Sequence, residues 1–475
     1  VCTDTLQTLH TQACVYMKLF STVSRYCYNK MSIEVPRDQL TLEQKELIRK
    51  LLTIQPRAAP SYNKSAAFYA ASEPKEPIIF FETEGPLVRI PFAIGARILG
   101  AFVNNRRVNP QLPFVFTGKL RPEQEEVVEE ALKLMRTTGT VTLGTYPGSG
   151  KTVMGAWLSS KIWPEPNKAE PVLVIHPLTV LNESWANTFT EFTDATVWVV
   201  DGKSPPAIMP NVIISHDRRV EKIPPAWLKS IGFLILDEAH KLCTPTKVHA
   251  LLATQPKYIL AETATLHRPD DGLHAMIYAM VGTHSIDRIS TKPFSVTKLL
   301  TGIKVPLETT TKGVNFQALM TSLAQEPQRN KIVVDIVMAN LAQGWKIIIL
   351  TPTKEHVNIL NRLLQEQGVR TDFMMGTKSK YHDSDVLLGT VSKIGTGFDE
   401  KMSCPDFGGK RADLLIYLAS TKKAGMMEQN VGRVFRADQP AVIHFVDDNP
   451  ISKRHWSEVQ KWYKSRNGTI SEIRL

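Results

Sequence analysis

The chain has 475 residues, 43% of them hydrophobic and 22% charged, with a formal net charge of +11 and a pI near 9.2. That length exceeds one ordinary hydrophobic core, so two or three domains are expected, and no run is long and apolar enough to span a bilayer. The basic balance favours a polyanionic partner, solvated lysines being the other reading; five cysteines without metal-ligand spacing argue for a reducing compartment and against a zinc site.

Residues 1–30 hold Cys2, Cys14 and Cys27 and show neither a secretory core nor a strong amphipathic pattern. They are expected to be a disordered or non-native leader, with the working chain opening at Met31, or else a weak transit peptide. Residues 31–111 follow as a small α+β accessory domain. Leu40, Leu42, Leu47, Ile48, Leu51 and Leu52 suit a helix; the runs 78–81 and 87–90 flank a turn at Gly85 and Pro86 and read as strands, with a helix up to Leu99. Arg106 and Arg107 read as an exposed basic turn, a phosphate contact being the alternative.

From 112 to 282 short apolar runs alternate with helical patterns: 141–143, 172–175, 197–200, 212–214, 233–236 and 258–260. Runs this continuous suit strands of a parallel sheet buried on both faces. Between the first run and the helical spacing of Val153, Met154, Ala156, Trp157 and Leu158 lie Thr145, Tyr146, Pro147, Gly148, Ser149, Gly150, Lys151 and Thr152. This is the spacing of a phosphate-cradling loop at a strand-to-helix junction, with Thr145 where a glycine usually opens it. Gly148, Ser149 and Gly150 are expected to wrap the phosphates of ATP, the glycines at positive φ. Lys151 would reach the β and γ phosphates, and Thr152 would place its hydroxyl on Mg²⁺. A glycine-rich loop that merely turns the chain is the alternative.

The run 233–236 ends in Asp237 and Glu238, with His240 two residues on. Two acids after a buried strand suit nucleotide hydrolysis: Asp237 to hold Mg²⁺ through water, Glu238 to orient or deprotonate the attacking water. A helix N-cap is the other reading of the acids, and a satisfied structural histidine that of His240.

Residues 283–310 carry no periodic helix and are expected to be a connector. A second alternation occupies 311–475, with runs at 347–350, 372–374, 386–388, 414–417 and 442–445, so a second α/β domain is implied. Arg433 and Arg436, three apart, are expected on one face of a helix, where both guanidiniums suit the charge spread over γ-phosphoryl oxygens. A surface salt-bridge pair is the alternative. Near the end, Trp456, Val459, Trp462 and Tyr463 share one helical face, for docking on the second domain or for stacking on bases.

The order of these motifs resembles that of superfamily 2 helicases and translocases, from about residue 120 to 448. Leu120, Arg121, Pro122, Glu123 and Gln124 are similar to the family's adenine-reading motif, with Gln124 as the reader. Pro177 and Thr179 after His176, and Ser215, His216 and Asp217, sit where the family touches nucleic-acid backbone. Thr263, Ala264 and Thr265 resemble the motif that couples hydrolysis to strand movement, a role that extends to His240. In the second domain Thr351 and Thr390 fall at backbone-contact positions. Gly395, Gly397 and Asp399 resemble the fifth motif, with Gly397 and Asp399 toward the nucleotide. Gln429, Gly432, Arg433 and Arg436 resemble the sixth, with Gln429 and both arginines in catalysis. The sequence from Thr263 through Arg268 to Gly272 is similar to XPB-like and phage recombination translocases. Arg329 and Asn330, with residues 427–436, look like the helicases of nucleo-cytoplasmic large DNA viruses, the poxvirus transcript-release group among them.

The resemblance implies two RecA-like parallel-sheet domains in tandem, ATP and Mg²⁺ as cofactors, and movement along nucleic acid, DNA in preference to RNA. ATP would lie between Lys151, Asp237 and Glu238 of one domain and Arg433 and Arg436 of the other. An intracellular setting follows: host cytoplasm or virion for a viral protein, the nucleus as alternative, with a role in viral transcription or DNA handling beside the transcription machinery. An ATP-dependent RNA helicase is the alternative within the class. A non-hydrolysing nucleotide-binding structural protein is the alternative outside it.

Overall fold

The computed structural model describes residues 32–56, 76–99, 109–263, 273–310, 313–394 and 398–475. The fold is α/β, with two compact units that meet in the chain between Asp287 and Arg288.

The first unit opens with a three-stranded antiparallel sheet, β1 (Ser32–Pro36), β2 (Glu82–Glu84) and β3 (Leu87–Pro91), in the order β1-β3-β2. A helix, Leu42–Leu52, starts at a reciprocal cap between Thr41 and Gln44, and a second, Phe92–Leu99, follows β3 directly. The core of these elements is not their own. Ile33, Val35, Leu52, Ile90, Phe92 and Ile94 belong to one apolar cluster with Leu173 and Ile175 of the large sheet and Met276 and Met280 of the helix His274–Val281. The expected accessory domain is therefore, in its described part, an α+β layer on the first unit. A hairpin and two short helices bury too little surface to stand alone.

The large sheet of this unit holds β4 (Thr140–Thr145), β5 (Val172–His176), β6 (Val197–Val199), β7 (Val212–His216), β8 (Phe233–Leu236), β9 (Tyr258–Glu262) and β10 (Ser285–Arg288), in the order β10-β4-β9-β8-β5-β7-β6. From β4 to β6 every neighbouring pair is parallel. Alternate residues divide between two cores. Val141, Leu143, Val172, Val174, Phe233, Ile235 and Leu260 pack under helices Pro122–Thr138, Lys151–Lys161 and Val180–Phe192. Leu173, Ile175, Leu234, Leu236, Ile259 and Ala261 face the helix His274–Val281 and the N-terminal layer. Both faces are covered, which is why the strands read as unbroken apolar runs.

The second unit repeats the plan with β11 (Phe294–Leu300), β12 (Ile347–Thr351), β13 (Thr371–Met374), β14 (Val386–Thr390), β15 (Leu414–Tyr417), β16 (Ala441–Val446) and β17 (Gly468–Arg474). The order is β13-β14-β12-β15-β16-β11-β17 and every pair is parallel. Residues 283–310, expected as a connector, thus contribute a strand to each large sheet. Phe294, Val296 and Leu299 are buried strand residues; spaced two and three apart, they trace no helical face. The helix Pro450–Ser465 docks its aromatic face on this unit. Trp456, Val459, Trp462 and Tyr463 are buried, and Trp462 Nε1 donates to Glu428 Oε2 at 3.0 Å. Among the described residues no helix is long and apolar enough to cross a membrane.

One buried ion pair pins the helix Pro327–Leu341 to the second sheet. Arg329, 1% exposed, donates from Nε to Asp447 Oδ1 at 2.9 Å and from Nη2 to the Leu418 carbonyl at 3.0 Å. Thr301 Oγ1 donates to the same Asp447 oxygen at 2.8 Å. Arg329→Ala would leave Asp447 buried without its cation, so urea unfolding should show a loss of about 3–5 kcal/mol in the transition of this unit. A loss under about 1 kcal/mol would mean that the pair does not hold the helix.

Candidate functional site

Because neighbouring strands of the first large sheet are parallel, β4, β5, β7, β8 and β9 all end at one edge, the place where open α/β sheets bind ligands. β4 ends at Thr145, and the chain passes through Gly148 at φ 87° and Gly150 at φ 84° before the helix Lys151–Lys161 begins. Both glycines take the left-handed conformation that a side chain would strain. Gly150 also lacks room: a Cβ there would come within 2.2 Å of Gln124 Nε2. Gln124 thus lies against the loop, while its Oε1 accepts the Arg121 N–H at 2.9 Å at the start of helix Pro122–Thr138. Lys151 Nζ donates across the loop to the Thr145 carbonyl at 2.8 Å. Among the described residues the non-glycine positive φ values fall at Glu238 and Asn467, so position 145 needs no glycine. Its backbone oxygen meets the lysine, and its buried side chain is free to be that of a threonine. Ser149 is buried within the loop, and Thr152 sits in the first turn of the helix.

β8 delivers Asp237 and Glu238 to the same edge. Asp237 is buried, and both its oxygens accept hydrogen bonds, Oδ2 from the Trp185 indole at 2.8 Å and Oδ1 from the Glu238 N–H at 2.7 Å. Burial pushes the Asp237 carboxyl up from 3.8 to about 6, and the Glu238 charge adds to the rise. A raised carboxyl contributes stability below its ordinary value that is lost as pH climbs through about 6, so the ionised acid is held at a cost. Glu238 takes φ 49° and ψ 44°, a left-handed conformation that costs a non-glycine residue about 1–3 kcal/mol. It occupies the N-cap position of the short helix Ala239–Leu242, yet its side chain makes no cap hydrogen bond. The carboxylate instead reaches toward His240, with Oε2 buried and 3.3 Å from Nδ1.

His240 Nδ1 is also 2.9 Å from Thr263 Oγ1, and the Thr263 N–H donates to the Leu143 carbonyl at 3.0 Å. Two of the three residues expected to couple hydrolysis to movement are therefore in contact, and they join the end of β8 to the ends of β9 and β4. Thr265, Ala264, Arg268 and Gly272 lie outside the described residues, as do Gly395 and Gly397.

Pro177 and Thr179 follow β5, Pro177 half-buried and Thr179 exposed. His176 before them is buried, donates from Nε2 to Asn182 Oδ1 at 2.8 Å, and is pushed by burial down to about 4, which keeps the ring neutral. After β7, Asp217 is buried between His216 Nδ1 at 2.7 Å and Lys247 Nζ at 3.0 Å. That carboxylate faces its own unit. In the second unit Thr351 is fully buried, its hydroxyl donating to the Thr353 carbonyl at 2.9 Å, and buried Thr390 pairs with Ser392 at 3.3 Å.

The expectation that Arg433 and Arg436 lie on a helix needs correction. The helix Ala424–Val431, which carries Gln429, ends before them, and both occupy a run of turns closed by bonds such as Val434 N–H to Val431 O at 3.1 Å. They converge nonetheless, because residues three apart in such turns eclipse. Arg433 donates to the Phe398 carbonyl and Arg436 pairs with Asp399. Burial pushes the Asp399 carboxyl up, but the guanidiniums of Arg436 and Arg411 outweigh it and leave it below its ordinary value.

Glu262 has no place in the motifs read from the sequence. It is 0% exposed at the end of β9, neither oxygen has a hydrogen-bond partner, and burial followed by the Asp237 charge holds its carboxyl well above the usual range. The available signal was its spacing: Tyr258, Leu260 and Glu262 alternate onto one face, so the acid continues an apolar row. Among the described residues no three His, Cys, Asp or Glu side chains converge to ligate one ion directly. The donor set here suits a cation held through water.

The protein family described as "Type III restriction enzyme, res subunit" matches residues 117–268. "Putative helicase 161L" of Invertebrate iridescent virus 6 is 25% identical over 415 residues, 81% of this chain and 90% of its own. "Putative helicase 109L" of Invertebrate iridescent virus 3 is 33% identical over 227 residues, 45% of this chain and 67% of its own. "Putative ATP-dependent RNA helicase L396" of Acanthamoeba polyphaga mimivirus is 23% identical, covering 90% of this chain and 82% of its own. Among solved structures, S. cerevisiae Dbp5 bound to RNA and ADP BeF3 superposes on 75% of this chain and 94% of its own with a TM-score of 0.51 and 15% identity, a likeness of fold.

The loop geometry separates two glycine positions that spacing treats alike. Thr145→Gly should change the affinity for a fluorescent ATP analogue by less than about threefold. Gly150→Ala, forced to φ 84° and against Gln124, should weaken it by more than about tenfold. The reverse order would mean that position 145 acts through glycine's conformational freedom after all.

Proposed function

Because this chain belongs to the superfamily 2 helicases, with the iridovirus proteins as relatives, we propose that it is an ATP-driven translocase that moves along DNA. One observation carries the reading: the loop with Lys151, the strained Glu238 beside buried Asp237, and the His240–Thr263 contact share a single sheet edge.

In this reading Gly148, Ser149 and Gly150 present backbone N–H groups to the phosphates of ATP, and Gln124, already against Gly150, faces the base. Lys151 leaves the Thr145 carbonyl for the β and γ phosphates, a charge-assisted exchange for a neutral contact. Mg²⁺, when bound, neutralises charge on the phosphate oxygens. Thr152 would hold it by its hydroxyl, and Asp237, aimed by Trp185, would hold it through water. Glu238 takes the proton of the attacking water, and the loss of its negative charge weakens its pull on His240 Nδ1, which also meets Thr263. Arg433 and Arg436, with Gln429, are assigned to the charge that spreads over the transferred phosphoryl group, and Asp399 to keeping Arg436 in place meanwhile. Pro177, Thr179, Thr351 and Thr390 are the candidates for backbone contacts of the track, and Gly397, with Asp399, is assigned to the ATP side.

DNA is favoured by the match to a restriction-enzyme subunit and by the likeness of residues 263–272 to DNA translocases. The mimivirus relative, named as an RNA helicase and aligned over 90% of this chain, supports RNA as a second reading. A role in viral transcription or DNA handling, inside an infected cell, fits the viral relatives.

Lys151→Ala should lose ATP affinity, whereas Glu238→Gln should keep ATP bound and lose turnover by more than about a hundredfold. Hydrolysis retained in Glu238→Gln would remove it from the chemistry. ATP turnover against single- and double-stranded DNA and RNA at matched moderate salt decides the track, since phosphate contacts alone do not distinguish the polymers. DNA should stimulate more than RNA of the same length. Stimulation by RNA alone would replace the first reading with the second.

A further inference from the structure

We propose that Glu262 is a third carboxyl of the cation–nucleotide site, a positioning residue that holds the water shell of Mg²⁺ from beneath the phosphate loop. The inference rests on the reading of Asp237 as the acid that takes the hydrated cation.

Placement comes from register. Leu236 of β8 pairs with Ala261 of β9, so the next residues of the two strands, Asp237 and Glu262, stand level on adjacent strands. Parity puts both side chains on the same face. Ile235 and Leu260, two residues before each acid, belong to the core under helix Lys151–Lys161, the helix that opens with Lys151 and Thr152. A space in that helix receives them. A Cβ on Gly155 would lie 3.0 Å from Glu262 Oε1 and 2.9 Å from Trp185 Cη2, and the same indole donates its N–H to Asp237. Glycine at 155, one turn after Lys151, lets the carboxyl and the indole share the floor of the site.

Packing gives no reason for an acid at this point. The residue paired with Glu262 across β4 is Leu143, fully buried, and a leucine at 262 would continue the same apolar row. A buried carboxyl with two oxygens lacking partners costs far more than such a leucine, which marks it as a group retained for something other than stability. Among the described residues no three acids converge as direct ligands, so the contact inferred for Glu262 runs through water. Mg²⁺ suits this, because it dehydrates reluctantly and keeps several waters that need acceptors. Glu262 also precedes Thr263 directly, so a change at the cation would reach the His240–Thr263 contact through one peptide unit.

The test titrates Mn²⁺ into the protein loaded with a non-hydrolysable ATP analogue and reads free Mn²⁺ by electron paramagnetic resonance, beside thermal unfolding of the free protein. Glu262→Gln should weaken Mn²⁺ binding by about tenfold, the usual effect of losing an outer-shell partner. Its thermal midpoint without ligand should stay level or rise, because a buried carboxyl without partners is replaced by a group that cannot ionise. Glu262→Leu, similar in size and fully apolar, should bind Mn²⁺ no better and unfold at a higher temperature still. Mn²⁺ affinity within about twofold of wild type in both variants would overturn the inference. A drop in thermal midpoint in both would overturn it as well, since Glu262 would then be a structural acid. Asp237→Asn separates the two levels: if it also binds Mn²⁺ as the wild type does, the underlying reading of Asp237 fails, and if it alone loses binding, only the inference about Glu262 fails.

Discussion

A carboxylate can be kept beneath a helix only if something holds it there, and the hydrogen bond from the Trp185 indole to Asp237 Oδ2 does this at 2.8 Å, shut from water. Much of the nucleotide site is arranged around that bond. It needs the helix Val180–Phe192 to return over the sheet after β5, so that Trp185 lies above the end of β8. It needs Gly155, because any side chain there would strike the indole. The helix that closes over it is the one whose N-terminus faces the phosphate loop. Asp237 is left poised, buried enough for its carboxyl to rise to about 6, yet oriented by two donors.

The neighbouring residues show the same exchange of stability for position. Glu238 is strained into the left-handed region at the point where a relaxed cap residue would serve a helix better. His240 stands between Glu238 and Thr263 with one ring nitrogen within reach of both. Glu262 is buried without a partner where leucine would pack. Departures from local optimum that cluster at one edge of one sheet are what a functional site looks like energetically, since each is tolerated only because the surrounding apolar cores over-determine the fold.

The second unit uses buried charge differently. Arg329 and Asp447 are sealed in the core with Thr301 and a backbone carbonyl, and serve to pin a helix to the sheet. Arg433 and Arg436 sit nearer the surface: one holds a carbonyl, the other a partly buried aspartate, and both sit on turns beyond the end of a helix. Guanidiniums placed on turns can change partners with small backbone movements, which a helix face would resist.

Much was legible along the chain because it depends on neighbours in sequence. The phosphate loop, the acids after β8, the parallel strands and the docking face of the last helix follow from spacing, glycine geometry and apolar period, which are local properties. The strand content of 283–310 was passed over by the connector reading, and its division between two sheets was hidden altogether, since pairing partners lie far along the chain. The same limit hid the shared core of the N-terminal layer. It also hid Glu262, whose significance arises when β9 pairs beside β8 in a register that sets it level with Asp237. Thr145 marks the boundary clearly: spacing made it an anomaly, and folding made it ordinary, because the contact at that position is made by a backbone oxygen that every residue carries.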